Sequence, residues 1–253
     1  MDIKEKMKEY WDYNPCGTKG FNLSNLNVED SWSMIRKRYK LEPFIHEYAQ
    51  FSKWQGKEVL EVGCGAGSDL IMFSFNKANI MGIDLSPESA EIARTRLGLH
   101  NLSARVMVAD AECLPFEDNT FDFVYSWGVL HHTTNTNMAI KEIHRVLKPH
   151  GHSCVMLYHK KSLVALQLYL RYGLLSRNTN INQIIFQHHE SVGTKAYTIT
   201  QAREMFGTFK EVKVSIRITP YDLRYWKDKY LPSWACNLIP RRFGWFLIVE
   251  VVK

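Results

Sequence analysis

The run Glu61-Val62-Gly63-Cys64-Gly65-Ala66-Gly67-Ser68-Asp69 sets three glycines at alternate positions between two carboxylates. Glycines between a strand and a helix let backbone N–H groups approach a ligand closely, because no Cβ stands in the way. Seventeen residues after the last glycine, a second apolar stretch ends in Gly82-Ile83-Asp84-Leu85-Ser86. An acid at the tip of the next strand can accept hydrogen bonds from two ribose hydroxyls, so the implied ligand is a nucleoside derivative. Spacing narrows the choice. The dinucleotide pattern G-x-G-x-x-G needs a glycine where Ser68 stands, and the loop lacks the Gly-Lys-Ser/Thr ending of a phosphate loop.

Three histidines have the chemistry of a general base near neutral pH. His132 closes the run Ser126-Trp127-Gly128-Val129-Leu130-His131-His132, His159 follows Tyr158 at a strand end, and His189 lies in the polar stretch 188–197. Each could deprotonate a hydroxyl or an amine. Lys195 in that stretch would hold an anionic group, with Tyr158, His188 and Tyr197 as further acceptor contacts. Near the N-terminus Tyr10, Trp11 and Tyr39 could stack against a cation or an acceptor, since aromatic faces favour positive charge. Pro15-Cys16 reads as a turn, and its cysteine as a small hydrophobe rather than a nucleophile. No C-x-x-C or H-x-x-x-H spacing supports a zinc site, so no metal is expected.

These groups need a scaffold. From Lys57 to Tyr158 strand-like and helix-like runs alternate, which implies a parallel sheet with helices on both faces. Strands are expected at Lys57–Glu61, Asn79–Asp84, Arg105–Ala109, Phe121–Ser126 and Ser153–Tyr158, with helices near Asp69–Asn76, Pro87–Leu97 and Asn137–Leu147. Ser86 is a helix N-cap with Pro87 at the first position, and Lys148-Pro149-His150-Gly151 should turn the chain into the fifth strand. After Tyr158 the alternation breaks. Helices are expected over Lys161–Arg177, Ile181–His189 and Thr200–Phe206, then strands at Val212–Ile218 and Trp245–Val252. Residues 159–199 form an insertion over the strand ends, where ligands of open α/β sheets bind. In Tyr221–Trp245 aromatics alternate with Arg224, Lys227, Lys229, Arg241 and Arg242, a mixture that suits packing, self-association or an interfacial contact.

Composition sets bounds. At 253 residues, 45% hydrophobic and 13% aromatic, the chain is an ordered globular protein of about one large domain. It shows no secretory signal and no apolar run of membrane-spanning length, and its five cysteines are scattered, which together suggest a cytoplasmic location. A net charge of +6 permits an acidic partner without requiring one.

The E-x-G-x-G-x-G loop, Asp84, Asp110-Ala111 at the end of the third strand, and Ser126–His132 after the fourth occur in the order seen in class I S-adenosylmethionine (SAM) methyltransferases. Over about residues 55–160 the chain resembles that family, closest to its small-molecule ubiquinone/menaquinone-type (methyltransferase type 11) group. The resemblance implies an α/β, Rossmann-like fold: a seven-stranded, mostly parallel sheet with one antiparallel terminal strand, helices on both faces and a helical lid insertion after the fifth strand. Residues 1–50 would form an N-terminal helical lid, and 51–253 the SAM-binding domain with 159–199 as substrate lid. The loop with Gly63, Cys64, Gly65 and Gly67 would wrap the methionine part of SAM, supported by Glu61. Asp84 would hold the ribose and Leu85 one adenine face. Asp110 and Ala111 would meet the adenine amino group, and Ser126 and Trp127 would line the methionine and substrate side.

The Asp/Asn-Pro-Pro-Tyr of adenine- and amide-modifying enzymes is missing after the fourth strand. The implied activity is methyl transfer from SAM to an oxygen or nitrogen, with carbon also open, of a small molecule such as a secondary metabolite or a cofactor or lipid-type precursor. S-adenosylhomocysteine (SAH) is the product. An RNA methyltransferase and a non-catalytic SAM-binding protein are the alternatives. Nucleic acid is disfavoured as a partner, peripheral membrane contact is allowed, and a monomer or homodimer is expected.

Overall fold

The computed structural model describes residues 2–174, 180–191, 193–226, 229–230 and 233–253. Its strands are β1 (Glu58–Val62), β2 (Asn79–Asp84), β3 (Arg105–Val108), β4 (Phe121–Trp127), β5 (Leu147–Tyr158), β6 (Glu211–Arg217), the short pair β7 (Arg224–Trp226) and β8 (Lys229–Tyr230), and β9 (Phe246–Val252). One seven-stranded sheet has the order β3-β2-β1-β4-β5-β9-β6. β9 runs antiparallel to both β5 and β6, and the other neighbours pair in parallel. The last strand in sequence therefore lies inside the sheet, with β6 outside it.

The central strands are apolar because they are covered on both sides. Along β4, Phe123, Tyr125 and Trp127 enter one core layer while Phe121 and Val124 enter the other. β1 alternates likewise, with Val59 on the first side and Leu60 and Val62 on the second. A side-chain period of two then places Glu61 on the Val59 side, the face where Tyr125 and Trp127 stand.

The helices are α1 (Ile3–Tyr13), α2 (Val28–Leu41), α3 (Ile45–Ala49), α4 (Ser68–Phe75), α5 (Pro87–Leu99), α6 (Thr136–Val146), α7 (Leu163–Leu168), α8 (Ile181–His188) and α9 (Ile199–Met205). Ser86 caps α5 by accepting from Ser89 N at 3.0 Å, with Pro87 at its first position. Asp2 caps α1, and Glu5 returns a carboxylate to the Asp2 N–H at 3.2 Å.

Two departures from expectation have local causes. The turn expected at 148–151 is a bulge within β5, where the register steps from Phe121↔Leu147 to Phe123↔His152 and His150 takes a positive φ. A proline is tolerated in a strand at such a place. The helix expected from Lys161 starts at Leu163, because Ser162 Oγ caps it by accepting from Ala165 N at 3.1 Å. It widens into a π-type turn at Tyr169–Gly173, and its expected end at Arg177 lies outside the described residues. Lys227 of the aromatic and basic stretch also lies outside them. Within that stretch Trp245 is buried, Trp234 is exposed and Tyr221 is half-buried.

Candidate active site

A cavity of about 320 Å³ opens at the carboxyl ends of β1, β2 and β4, the place where open α/β sheets bind ligands. The glycine loop forms its floor. A Cβ on Gly63 would stand 2.2 Å from Val129 Cγ2, so only glycine fits there, and its φ of +74° also favours glycine. A Cβ on Gly65 would meet nothing within 4 Å, which leaves its backbone open to a ligand. Asp84 stitches the loop to β2: its two oxygens accept from Gly65 N at 2.8 Å and Ser86 N at 2.9 Å. A carboxylate has about four acceptor positions, so capacity remains for hydroxyls of a ligand. Burial pushes the Asp84 carboxyl above its ordinary range, against the pull of these two N–H groups.

Beneath the loop lies a charged cluster. Arg38 of α2 holds Asp69 of α4 through both carboxylate oxygens, at 3.1 and 2.6 Å. Tyr39 and Tyr125 donate to the same carboxylate at 2.8 and 3.2 Å. Glu61 is 4% exposed and lines the cavity, and its Oε2 has no hydrogen-bond partner among the described residues. Burial raises its carboxyl well above the usual range, and the neighbouring Asp69 raises it further. Such an oxygen fits a cationic donor, since an unpaired buried carboxylate is costly. Glu42, at the end of α2, also lines the cavity and accepts from Trp127 Nε1 at 2.7 Å.

α1 covers the opening. Lys4 donates to Asp110 Oδ2 at 2.6 Å and to Glu112 Oε2 at 3.2 Å. Burial works against the Lys4 charge, but these two acids outweigh it and raise its pKa. At the other end of the helix Trp11 meets the His132 ring edge-on at 5.1 Å. Behind His132 stands a second polar cluster. Its Nδ1 faces Ser191 Oγ at 3.0 Å and Thr194 Oγ1 at 3.1 Å. Its Nε2 lies 3.2 Å from Glu190 Oε2, off the line of a good hydrogen bond, while Tyr158 donates to that oxygen at 2.9 Å. Burial alone would raise the Glu190 carboxyl. The neighbouring imidazoles of His132 and His189 and the hydrogen bond from Tyr158 prevail and hold it at about 2.

Of the residues singled out in the sequence, Trp11, Glu61, Gly63, Cys64, Gly65, Asp84, Leu85, Asp110, Ala111, Trp127 and His132 line the cavity. The others do not. Gly67 ends the loop against Ala93, and Ser126 donates to Val62 O at 3.1 Å. Tyr10 packs edge-on against Trp11, and Tyr39 is spent on Asp69. His159 is turned to Gly244 O at 3.1 Å, and His189 packs between Tyr158 and Trp245. His188 stacks on Tyr172 at 4.2 Å, Tyr197 donates to Thr136 Oγ1, and the Lys195 ammonium donates to Thr133 O rather than standing ready for an anion. The described part of 159–199 thus backs the cavity wall through His132 instead of lining it. Cys16 stands on the cavity wall with its thiol raised rather than lowered, so a thiolate is not supplied near neutral pH.

Lys4 and Glu42 carried no motif that would have marked them. Asp69 closes the quoted glycine run, but Arg38 lies in no motif, and only the helix pairing brings them together. No group of three or more His, Cys, Asp or Glu among the described residues is arranged to hold a metal ion.

Residues 60–155 match the family described as "Methyltransferase domain". The sterol 4-C-methyltransferase of Caenorhabditis elegans is 36% identical over 94 residues, 36% of this chain and 28% of that protein. The demethylmenaquinone methyltransferase of Tropheryma whipplei is 37% identical over 162 residues, 58% of this chain and 66% of that protein. The chain thus spans from about a quarter to about two thirds of the length of the curated relatives it matches. Among solved structures, magnesium protoporphyrin IX methyltransferase from Synechocystis, crystallised with SAH, superposes with a TM-score of 0.62 at 14% identity, covering 100% of both chains. That likeness is one of fold. Residues 60–155 thus carry the methyltransferase domain, and the matched relatives and the architecture support a class I SAM-dependent methyltransferase.

Proposed function

We propose that the protein transfers the methyl group of SAM to a small-molecule acceptor, at oxygen or nitrogen, with carbon also compatible. The observation that carries the reading is the cavity itself: an open glycine floor at Gly65, a ribose-type carboxylate at Asp84, and a buried Glu61 oxygen lacking a donor among the described residues. These fit SAM group by group. Glu61 would take the methionine ammonium and Arg38 the methionine carboxylate. Asp84 would hold the ribose, with Leu85, Asp110 and Ala111 about the adenine. When bound, SAM supplies a methyl on a positively charged sulfur, already a good leaving arrangement.

The chain's own task is alignment and exclusion of water. α1 would act as the lid, pinned by Lys4 at the purine end and by Trp11 at the acceptor end. Trp11, Trp127 and His132 would form the wall against which the acceptor lies. His132 is the one of the three proposed bases placed on the cavity, and the Ser191 and Thr194 hydroxyls fix its ring. His159 and His189, along with Tyr158, would serve only as supports.

The reading is tested by incubating the pure protein, methyl-labelled SAM and an extract of the host. The expected outcome is label in a product of low mass, untouched by nuclease or protease. Label confined to RNA would favour the RNA methyltransferase alternative. SAM binding without any transfer would favour a non-catalytic binding protein.

A further inference from the structure

The acceptor end of the cavity holds a carboxylate that transfer to a neutral hydroxyl does not require. Glu42 is 6% exposed, lines the cavity, and is fixed by Trp127 Nε1 at 2.7 Å, with the Tyr221 hydroxyl 3.5 Å from its other oxygen. Trp11, Trp127, Tyr221 and His132 surround this end. Burial raises the Glu42 carboxyl, Arg38 pulls it down, and the net shift is upward.

Charge balance shows what is missing. Arg38 is the cation that acts on Glu42, and among the described residues both of its side-chain hydrogen bonds go to Asp69. SAM would bring a sulfonium, an ammonium and a carboxylate. With Asp69 on Arg38 and the SAM ammonium on Glu61, Glu42 is left without a cation of its own, and burying an uncompensated charge is expensive.

We infer that the acceptor brings the missing cation: it is an amine that arrives protonated, paired with Glu42 and lying against the aromatic faces of Trp127, Trp11 and Tyr221. This rests on the methyl-transfer reading and narrows it to nitrogen. Aromatic faces and a desolvated carboxylate together select an ammonium. A carboxylate acceptor would set a second anion beside Glu42 in a water-poor pocket. The step balances. The ammonium passes one proton to Glu42. The freed nitrogen lone pair forms the N–CH3 bond as the S–CH3 bond breaks with its electrons to sulfur, leaving a thioether and a methylated ammonium. Glu42 later returns its proton to water.

Isothermal titration of the full-length protein loaded with SAH, using 2-phenylethylamine and 3-phenylpropionate as size-matched probes at neutral pH, tests the inference. The amine is expected to bind at least about tenfold more tightly than the acid, and Glu42→Gln to abolish that preference. Equal affinities, tighter binding of the acid, or no binding of the amine to the SAH-loaded wild type overturns the inference while leaving methyl transfer standing. The wild-type comparison needs no variant to fold. Failure of SAH itself to bind would instead remove the reading beneath it.

Discussion

Asp84 is at once a fastener and a ligand group. Its carboxylate closes the glycine loop onto β2 through Gly65 and Ser86, and the same oxygens face the cavity. Asp84→Ala should leave a folded protein by circular dichroism but weaken SAH binding about a hundredfold, the worth of two charge-assisted hydrogen bonds; unchanged affinity would remove Asp84 from the site. The glycines separate in the same manner. Gly63→Ala drives a methyl into Val129 and strains a left-handed backbone, so urea unfolding should show a loss of roughly 3 kcal/mol. Gly65→Ala carries only the backbone cost, roughly 1 kcal/mol, because its Cβ has room. It should cost SAH affinity instead, by filling the floor. Equal stability losses in the two variants would contradict the packing described at Gly63. This division was partly legible in the sequence: the motif marks all three glycines alike, but which one is locked by a neighbour depends on Val129, a distant residue in the chain.

At the scale of elements, α1 is the piece that lies over the cavity, through Lys4, Met7 and Trp11. Its Lys4 pairs with Asp110 and Glu112 while all three stay partly exposed, and such pairs are worth about 1 kcal/mol or less. Lys4→Met should therefore speed SAH release up to about fivefold in stopped-flow measurements, with little change in thermal stability. An unaltered off-rate would mean that α1 is no lid. Further along, Met7 lies against the loop that follows α8, where a Cβ on Gly193 would stand 3.3 Å from its sulfur. Lid and insertion thus touch each other as well as the sheet. The order and type of the elements up to Tyr158 were readable because strand and helix periods differ and caps such as Ser86 are local. The insertion is expected from the sequence to cover the pocket as a substrate lid, and its described residues instead stand behind His132. Polar residues at 188–197 signal a loop with work to do, yet nothing local says whether the work is contact with a ligand or support of His132 from behind.

For the whole molecule, buried carboxylates set the pH dependence of stability. Asp222 accepts from Thr219 N at 2.8 Å and Thr219 Oγ1 at 3.1 Å, but burial dominates and lifts its carboxyl to about 7. The folded chain then holds a proton that the unfolded chain releases, so this group favours the fold most below the ordinary aspartate range and progressively less as pH rises to about 7. Between about pH 5 and about pH 8 the decline from this residue is roughly 3 kcal/mol, and Asp222→Asn should flatten it in urea midpoints taken across that range. A slope that persists unchanged would contradict the assignment. Glu190, held at about 2, has the opposite sign, its contribution being full above the usual glutamate range and lost as pH falls toward 2. Neither shift was visible in the sequence, since both come from residues far apart in the chain closing around an acid. The fold, the acids and the glycine floor converge on one claim, that a sulfonium nucleoside occupies the cavity beneath α1. Calorimetric titration of SAH into the pure protein tests it most directly: the account predicts saturable binding of one equivalent, weakened about a hundredfold by Asp84→Ala, and an absence of binding heat in a folded wild-type protein would contradict it.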